Sequence, residues 1–392
     1  MRRRLAILMA MAAGLLGGCG LFGSHRNVAP PAKLRPFPAR LKVTRVWSRG
    51  TGNGTGGYDL GLRLARIGGT LFVANENGTV AAYRAQDGHK LWRRRLKARI
   101  TGGAGVGQGL VVVGTRRGRV FALDARTGVP VWTAQAPSEI LAAPVVGPHG
   151  VYVASLDGHV TAFGLTHGHP LWIAAHAHPA LTLFLTARPA YASGILYEGY
   201  ANGELVALRT TDGERLWTSA VAQPRGGDAV ERLIDLAHPL YTQDIVYVDG
   251  YHGAVAALDA RTGRILWGRP LSSYRSMALG GQSLYVVTAH SRVMALANAS
   301  GGTMWTQKAL LNRRLSSPAL AGPAVVVGDL AGYTQWLSRR TGQLIARKRV
   351  GEGAIRVAPL VASIGKDRGL PLVFVLTTTG RLTALAFRPE RP

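Results

Sequence analysis

The sequence predicts an all-β protein, an eight-bladed β-propeller of four-stranded antiparallel blades, closed by the N-terminal strand pairing in the last blade. Three observations carry this prediction. The 392 residues include 51 Gly and 20 Pro, which favours short strands joined by tight turns over long helices. One motif recurs at intervals near 40 residues, the length of a four-stranded propeller blade. The last copy of this motif stops halfway, while an unmatched strand stands near the N-terminus.

Most copies of the motif end in a tryptophan. The seven residues ALDARTG stand at Ala122–Gly128 and again at Ala257–Gly263, and each copy is followed by Trp four residues later. The aspartate and the Thr-Gly pair predict a turn in which the aspartate bonds backbone N–H groups and the glycine takes a positive φ. The indole predicts a contact that locks one blade to the next and a buried N–H that needs an acceptor. This position holds Trp92, Trp132, Trp172, Trp217, Trp267, Trp305 and, in the seventh copy, Ala346.

The two ends of the repeat series complement each other. The eighth copy begins at Gly380 and lacks its last strand after Arg381–Phe387. An orphan strand, Val43–Trp47, ends in a tryptophan 45 residues before Trp92. We therefore predict that this strand pairs with Arg381–Phe387, which closes the ring and removes the exposed edges of an open array.

The N-terminus resembles a bacterial lipoprotein signal. Three arginines precede a short apolar run, Leu5–Leu16, and the junction reads Leu-Gly-Gly-Cys19. The alternative is an ordinary signal peptide with an incidental cysteine. We predict a signal peptide over residues 1–18, a lipidated Pro-rich tether over 19–40 and a propeller over 41–392. Cys19 is the predicted lipidation site, and Gly20 after it favours the periplasmic face of the outer membrane.

The chain is strongly basic, with a formal charge of +27, or +24 once the three signal arginines are removed. Such a balance is typical of nucleic-acid binding, but an exported lipoprotein rarely meets nucleic acid. Anionic lipid headgroups or acidic partner surfaces are better candidates. The arginines are scattered along the chain, which favours a general compositional bias over a dedicated patch.

No catalytic constellation stands out. The sequence lacks a Gly-x-Ser-x-Gly, a P-loop and a His-Glu-x-x-His motif. Its single cysteine excludes an intrachain disulfide. His-x-His pairs begin at His167 and His176 without further acidic or cysteine partners, so we predict no metal, cofactor or catalytic residue. The glycine-rich stretches Gly50–Gly57 and Gly102–Gly105 are interpreted as loops, because no helix follows to form a phosphate site.

Two repeats are longer than the others. The tryptophan spacing grows to 45 residues between Trp172 and Trp217 and to 50 between Trp217 and Trp267. The extra residues, Ala180–Ala190 and Ala222–Leu240, follow the last strand of one blade and precede the first strand of the next. Such connections share one face of a propeller, so two adjacent long ones predict a partner-binding surface. The alternative is that their leucines cover the edge of the core.

Apolar anchors beside charged side chains suit a protein–protein contact. The predicted partner-binding residues are Leu181, Leu183, Phe184, Arg232, Leu233 and Asp235.

The chain resembles the BamB family of outer-membrane assembly lipoproteins, whose repeats belong to the pyrroloquinoline-quinone-dehydrogenase-like class of propellers. The resemblance rests on the junction at Cys19 and on the stretches Leu310–Leu337, Arg232–Asp235 and Ser291–Leu296. Trp336, which is out of step with the blade tryptophans, also falls where this family has one.

The resemblance implies a non-catalytic subunit of the β-barrel assembly machine, the Bam complex. It implies docking on the POTRA domains of a BamA-type barrel subunit through a Leu-x-Leu-Arg loop and an Arg-Leu-x-Asp-x-Asp loop. The residues that match these loops are Leu181, Leu183, Arg232 and Asp235. Phe184 stands where the family has arginine and Ala237 where it has a second aspartate, and Arg188 is the nearby residue that could replace the arginine.

Two other functions remain open on sequence grounds. One is a quinone-dependent dehydrogenase on the same repeats, although such enzymes are usually longer and carry calcium-binding acids that are not evident here. The other is a propeller scaffold for a different envelope complex. A role in holding unfolded β-barrel substrates through an exposed outer strand is a further hypothesis.

Overall fold

The structure is a computed structural model and describes residues 29–56, 60–177, 188–223, 234–236, 238–364 and 371–389. Within these residues all regular structure is β, and eight blades follow one another around a ring. Their strands pair antiparallel, except that the short strand Gly61–Leu62 joins the edge of one blade in parallel. The predicted eight-bladed propeller is therefore confirmed. Among the residues so described, no helix is long and apolar enough to cross a membrane.

Two strands precede the first complete blade, β1 (Leu41–Gly50) and β2 (Gly61–Leu62). Blade one contains β3 (Ala65–Ile67), β4 (Thr70–Ala74), β5 (Thr79–Arg84) and β6 (Lys90–Arg95). Blade two contains β7 (Ile100–Gly107), β8 (Leu110–Thr115), β9 (Arg119–Asp124) and β10 (Pro130–Gln135). Blade three contains β11 (Val145–Val146), β12 (Val151–Ala154), β13 (His159–Phe163) and β14 (Pro170–Ala175). Blade four contains β15 (Ala190–Ala192), β16 (Ile195–Gly199), β17 (Glu204–Arg209) and β18 (Arg215–Ala220).

Blade five contains β19 (Asp235–Leu236), β20 (Leu240–Thr242), β21 (Ile245–Tyr251), β22 (Ala254–Asp259) and β23 (Ile265–Pro270). Blade six contains β24 (Ala278–Gly280), β25 (Ser283–Val287), β26 (Val293–Ala297) and β27 (Thr303–Gln307). Blade seven contains β28 (Ala319–Ala321), β29 (Ala324–Gly328), β30 (Tyr333–Ser338) and β31 (Leu344–Arg349). Blade eight contains β32 (Leu360–Ala362), β33 (Leu372–Leu376), β34 (Arg381–Pro389) and, as its outer strand, β1.

Closure of the ring follows the prediction. The first strand, β1, pairs antiparallel with β34, so that Val43 faces Phe387 and Trp47 faces Ala384. The last blade is thus made from both ends of the propeller, and no blade in the described chain lacks an outer strand.

The tryptophan series joins each blade to the next one. The ring of Trp92, in blade one, lies against Gly128, the turn glycine of blade two, where an added Cβ would stand 2.5 Å from the indole. The Trp92 Nε1–H donates to the carbonyl oxygen of Ala125 in the same turn, at 3.0 Å. The same pair of contacts, from Trp217 to Gly263 and Ala260, involves the second ALDARTG copy. The turn is repeated because each copy provides the glycine and the carbonyl oxygen that the tryptophan of the preceding blade contacts.

The hydrophobic core lies between blades. One cluster joins Phe72 and Val80 of blade one to Ile100 and Val111 of blade two, and these side chains are almost fully buried. Seven further clusters of the described residues lie between the other pairs of adjacent blades, so each blade buries both faces against its neighbours.

The interpretation of Gly102–Gly105 as a loop was wrong, because these residues lie within β7. A Cβ on Gly102 would stand 2.2 Å from the Ala142 carbonyl oxygen, and one on Gly105 would stand 2.0 Å from that of Pro144. The glycines are needed because the backbone of blade three passes directly against this strand.

The described part of the predicted tether is attached to blade seven and the connection before it. The Ala32 N–H donates to the Leu311 carbonyl oxygen at 2.9 Å. Further along, the Arg347 guanidinium lies 4.9 Å from the centre of the Phe37 ring, and the Arg40 N–H donates to the Ile345 carbonyl oxygen at 2.8 Å. Residues 32–40 therefore run along the propeller surface to the start of β1.

Candidate functional site

Both long connections join the outer strand of one blade to the inner strand of the next, as the sequence predicts. The first connector runs from the end of β14 to β15, and the second from the end of β18 to β20. The residues that precede the inner strands, including Arg188 and His238, line one cavity of about 630 Å³. We call this side of the ring, where outer strands connect to the next inner strands, the connector face. Both connectors reach it.

Five of the six predicted partner-binding residues lie outside the described residues: Leu181, Leu183, Phe184, Arg232 and Leu233. The same holds for Cys19 and Ala237. Their roles stay predictions.

Asp235 is described, and it is buried. It lies in the two-residue strand β19, opposite Tyr251 of β21, and is only 5% exposed. Its neighbours Ile234 and Leu236 are buried in the core between blades four and five. The end of the second connector is therefore fixed in the core by Ile234, Leu236 and the pairing of β19 with β21. Whether the leucines of the connectors cover the core edge stays open, because Leu181, Leu183 and Leu233 lie outside the described residues.

A second buried carboxylate lies beside Asp235. Burial, and then the charge of Asp235, raises the pKa of Glu198 well above its usual range. Glu198 faces Val206 across blade four. The residues that occupy its place on the second strand in the other blades are Val73, Val113, Val153, Val248, Val286, Val327 and Val375. This acid is thus a departure from the repeat, located where the second connector is anchored.

Arg188 lies toward the axis of the ring. It lines the cavity, and its Nε is shielded from solvent and has no hydrogen-bond partner among the described residues. Burial, and then the charge of Arg63, lowers the pKa of Arg188 to about 9. This placement argues against Arg188 as a substitute for the arginine that Phe184 replaces.

The His-x-His pairs take structural positions where they are described. His176 Nε2 lies 2.7 Å from Glu204 Oε2, and its ring lies 4.2 Å from that of Tyr200. No cluster of three or more potential metal-binding side chains occurs within the described ranges.

The lining of the cavity is basic, which was not predicted from the sequence. Its lining includes Arg63, Arg188, His238, Arg275 and Arg356, and none of its described lining residues is Asp or Glu. Carboxylates are the usual protein ligands of calcium, so this lining does not suit that ion. The residues belong to separate connectors, and only the closed ring brings them together. The sequence gives one local indication of this basic lining. Arg188 and His238 are each followed directly by proline, just before an inner strand.

The outer strands carry a second repeated feature. In seven blades the residue directly before the blade tryptophan is apolar and exposed. These residues are Val46, Leu91, Val131, Leu171, Leu216, Leu266 and Met304.

Comparisons with known proteins agree on one family. A family model described as outer membrane protein assembly factor BamB matches residues 76–307. The BamB of Pseudomonas aeruginosa is 45% identical over 385 residues, which cover 98% of each chain. The crystal structure of BamB from Moraxella catarrhalis superposes with a TM-score of 0.78 at 26% identity, covering 88% of this chain and 100% of that chain. A quinohemoprotein alcohol dehydrogenase from Comamonas testosteroni, with a TM-score of 0.70 at 13% identity over 88% of this chain and 76% of that chain, shares the fold alone.

Proposed function

Because the chain belongs to the BamB family of outer membrane protein assembly factors, we propose that it is a non-catalytic scaffold subunit of the Bam complex. It is held on the periplasmic face of the outer membrane by lipid on Cys19. It binds the periplasmic POTRA domains of a BamA-type barrel subunit and assists the assembly and insertion of β-barrel proteins.

The connector face is the proposed docking surface. The observation that carries this proposal is that two adjacent, unusually long connectors reach the same side of the ring. Leu181, Leu183 and Phe184 of the first connector supply apolar anchors, and Arg232 and Leu233 of the second supply a charged and an apolar contact.

Asp235 acts as a positioning residue in this proposal. Its burial beside Glu198, and the anchoring of Ile234 and Leu236 between blades four and five, support a rigid base for the second connector. A connector fixed at its base loses less conformational entropy on binding than a free loop does.

Co-purification of the barrel subunit from detergent-solubilised outer membranes tests the docking surface. Leu183→Asp and Arg232→Glu should each lower the recovered barrel subunit at least tenfold, because a buried anchor or an ion-pair partner is lost. Leu171→Asp, at an exposed position on the outer strand β14, is the matched control and should leave recovery unchanged. Recovery equal to wild type for both connector variants would place the contact elsewhere.

The lipid anchor has its own test. Cys19→Ser removes the only cysteine and should prevent the protein from reaching the outer-membrane fraction, because neither lipidation nor lipoprotein-type cleavage can occur at this position. A variant that still sediments quantitatively with outer membranes would contradict lipid anchoring at Cys19.

The dehydrogenase alternative is disfavoured by the basic lining of the cavity. Its test is addition of pyrroloquinoline quinone and calcium to the purified protein. Dye-linked oxidation of an alcohol substrate would revive it, and no signal above that of the protein alone is expected.

The exposed apolar residues of the outer strands support a contact with unfolded β-barrel segments. An incoming extended segment could add to the free edge of an outer strand through main-chain hydrogen bonds. Crosslinking from a photoreactive residue at Leu91 or Leu266 to a newly exported barrel protein should detect this contact. Absence of crosslinks from both positions, with crosslinks from a probe on the connector face, would oppose it.

A further inference from the structure

The cavity on the connector face collects positive charge from connectors all around the ring. Arg63 precedes blade one, Arg188 blade four, Arg275 blade six and Arg356 blade eight, and His238 lies directly before β20 of blade five. Its volume of about 630 Å³ is within the range of small-molecule sites in proteins. No described residue of its lining carries a carboxylate.

Two of these side chains have unused hydrogen-bonding atoms. Arg188 Nε and His238 Nδ1 are both shielded from solvent and have no hydrogen-bond partner among the described residues. Arg63 and Arg188 also line a smaller adjoining cavity of about 260 Å³. The two arginine side chains therefore line both cavities.

The basic groups disfavour one another's charge. Burial lowers the pKa of Arg63, and burial followed by Arg63 lowers that of Arg188. Burial, and then Arg63, Arg188 and Arg275, lower the pKa of His238 to about 3, so the imidazole is neutral. Arg63 is itself exposed to solvent, so the shielded atoms of this group are those of Arg188 and His238. A shielded positive charge beside a second one destabilises a fold unless an opposite charge joins them.

We propose that this cavity binds a small multivalent oxyanion, with Arg63 and Arg188 as its ion-pair partners and His238 as a neutral hydrogen-bond donor. Arginine suits this ligand class because its planar fork gives two parallel hydrogen bonds to a phosphate or carboxylate group. The site is built from residues that directly precede the inner strands, so it does not depend on the partner contact proposed for Leu181, Leu183, Phe184, Arg232 and Leu233.

Binding is tested on the mature full-length protein at low ionic strength. Calorimetric titration with inorganic phosphate and with citrate should give saturable binding of one anion per chain, and the same anion should raise the melting temperature, because a ligand bound to the folded state stabilises it. Sodium chloride at equal ionic strength should do neither. Tighter binding of phosphate identifies a phosphate ligand, and tighter binding of citrate a polycarboxylate. No saturable binding of either anion would overturn the proposal.

Variants locate the site. Arg188→Gln and Arg63→Gln should each weaken binding at least tenfold, and without anion each should melt at or above the temperature of the wild type, because a repulsive charge is gone. Arg264→Gln removes an exposed arginine from the blade-five turn and should change neither property. Equal affinity in all three variants would overturn the assignment, and Arg63→Gln keeps the test decisive if Arg188→Gln does not fold.

Discussion

Trp336 and Ala346 face each other across blade seven with the tryptophan on the third strand, the reverse of the arrangement in every other blade. The other seven blades place alanine on the third strand opposite tryptophan on the outer strand. Those pairs are Ala82–Trp92, Ala122–Trp132, Ala162–Trp172, Ala207–Trp217, Ala257–Trp267, Ala295–Trp305 and Ala384–Trp47.

The reversal follows from how the ring closes. An outer tryptophan rests on the turn between the third and outer strands of the next blade, and in blade eight these strands are the two ends of the propeller, β34 and β1. An indole at Ala346 would have no turn glycine to rest on. On the third strand, Trp336 is fully buried and its ring centre lies 5.2 Å from that of Phe387.

The first prediction concerns this exchange. Trp336→Ala should lower the free energy of unfolding by about 3–5 kcal/mol, because it empties a fully buried site. Adding Ala346→Trp should not restore the loss, although it returns blade seven to the pattern of the others. Urea unfolding followed by far-UV circular dichroism measures both. Recovery of wild-type stability in the double variant would show that blade eight does offer a packing site to an indole at position 346.

The second prediction separates backbone strain from steric conflict at a turn glycine. Gly128 has a φ of 70° and would place a Cβ 2.5 Å from Trp92, whereas Gly109 has a φ of 75° and open space around it. Gly109→Ala should cost about 1 kcal/mol from the left-handed backbone alone. Gly128→Ala should cost about 2–4 kcal/mol, because displacement of the indole adds to the strain. Equal losses in chemical denaturation would mean that the indole moves away freely.

The third prediction tests the closure of the ring. Ser48 and Thr383 are paired across blade eight, with their hydroxyl oxygens 3.0 Å apart. In a Cys19→Ser background, Ser48→Cys with Thr383→Cys should form a disulfide between the two ends of the propeller. Because the closed loop is very long, the gain in stability should approach about 5 kcal/mol. The melting temperature should rise only under oxidising conditions, and each single cysteine variant is the control. Absence of the disulfide would contradict the pairing of β1 with β34.

The fourth prediction is a loss of stability with rising pH. Burial raises the pKa of Asp249 to about 7, against a smaller opposing effect of the Ser273 hydroxyl. The unfolded chain releases this proton near pH 4 and the folded protein only near pH 7, so the free energy of unfolding should fall across that interval, by up to about 4 kcal/mol. Asp249→Asn should reduce the slope between pH 5 and 8, leaving the part that comes from the raised pKa of Glu198, and should exceed the wild type in stability at pH 8.

The control for this profile is Asp87→Asn. The backbone N–H of His89 holds the pKa of Asp87 below its usual range, so this exposed carboxylate does not titrate between pH 5 and 8. Its replacement should leave the slope of the wild type in place. A wild-type profile that is flat, or that rises with pH, would show that Asp249 is stabilised as an anion.

Much of the architecture could be predicted because each repeat is local. A turn, two short strands and a tryptophan recur within 15 residues, for example from Gly118 to Trp132, so their count and spacing alone predict eight blades. The half repeat after Gly380 and the orphan strand before Trp47 also predict the closure. The two connectors were identified as departures from the same period.

What the sequence by itself determined was therefore the repeat, the closure and the location of the connectors, because these depend on neighbours along the chain. Only the tertiary structure decided that Asp235 is buried beside Glu198, that Gly102 and Gly105 lie in a strand, and that basic residues from five connectors meet at one cavity. These outcomes depend on which backbones touch once the ring has closed, and residues so far apart in sequence leave no common period by which they could be recognised.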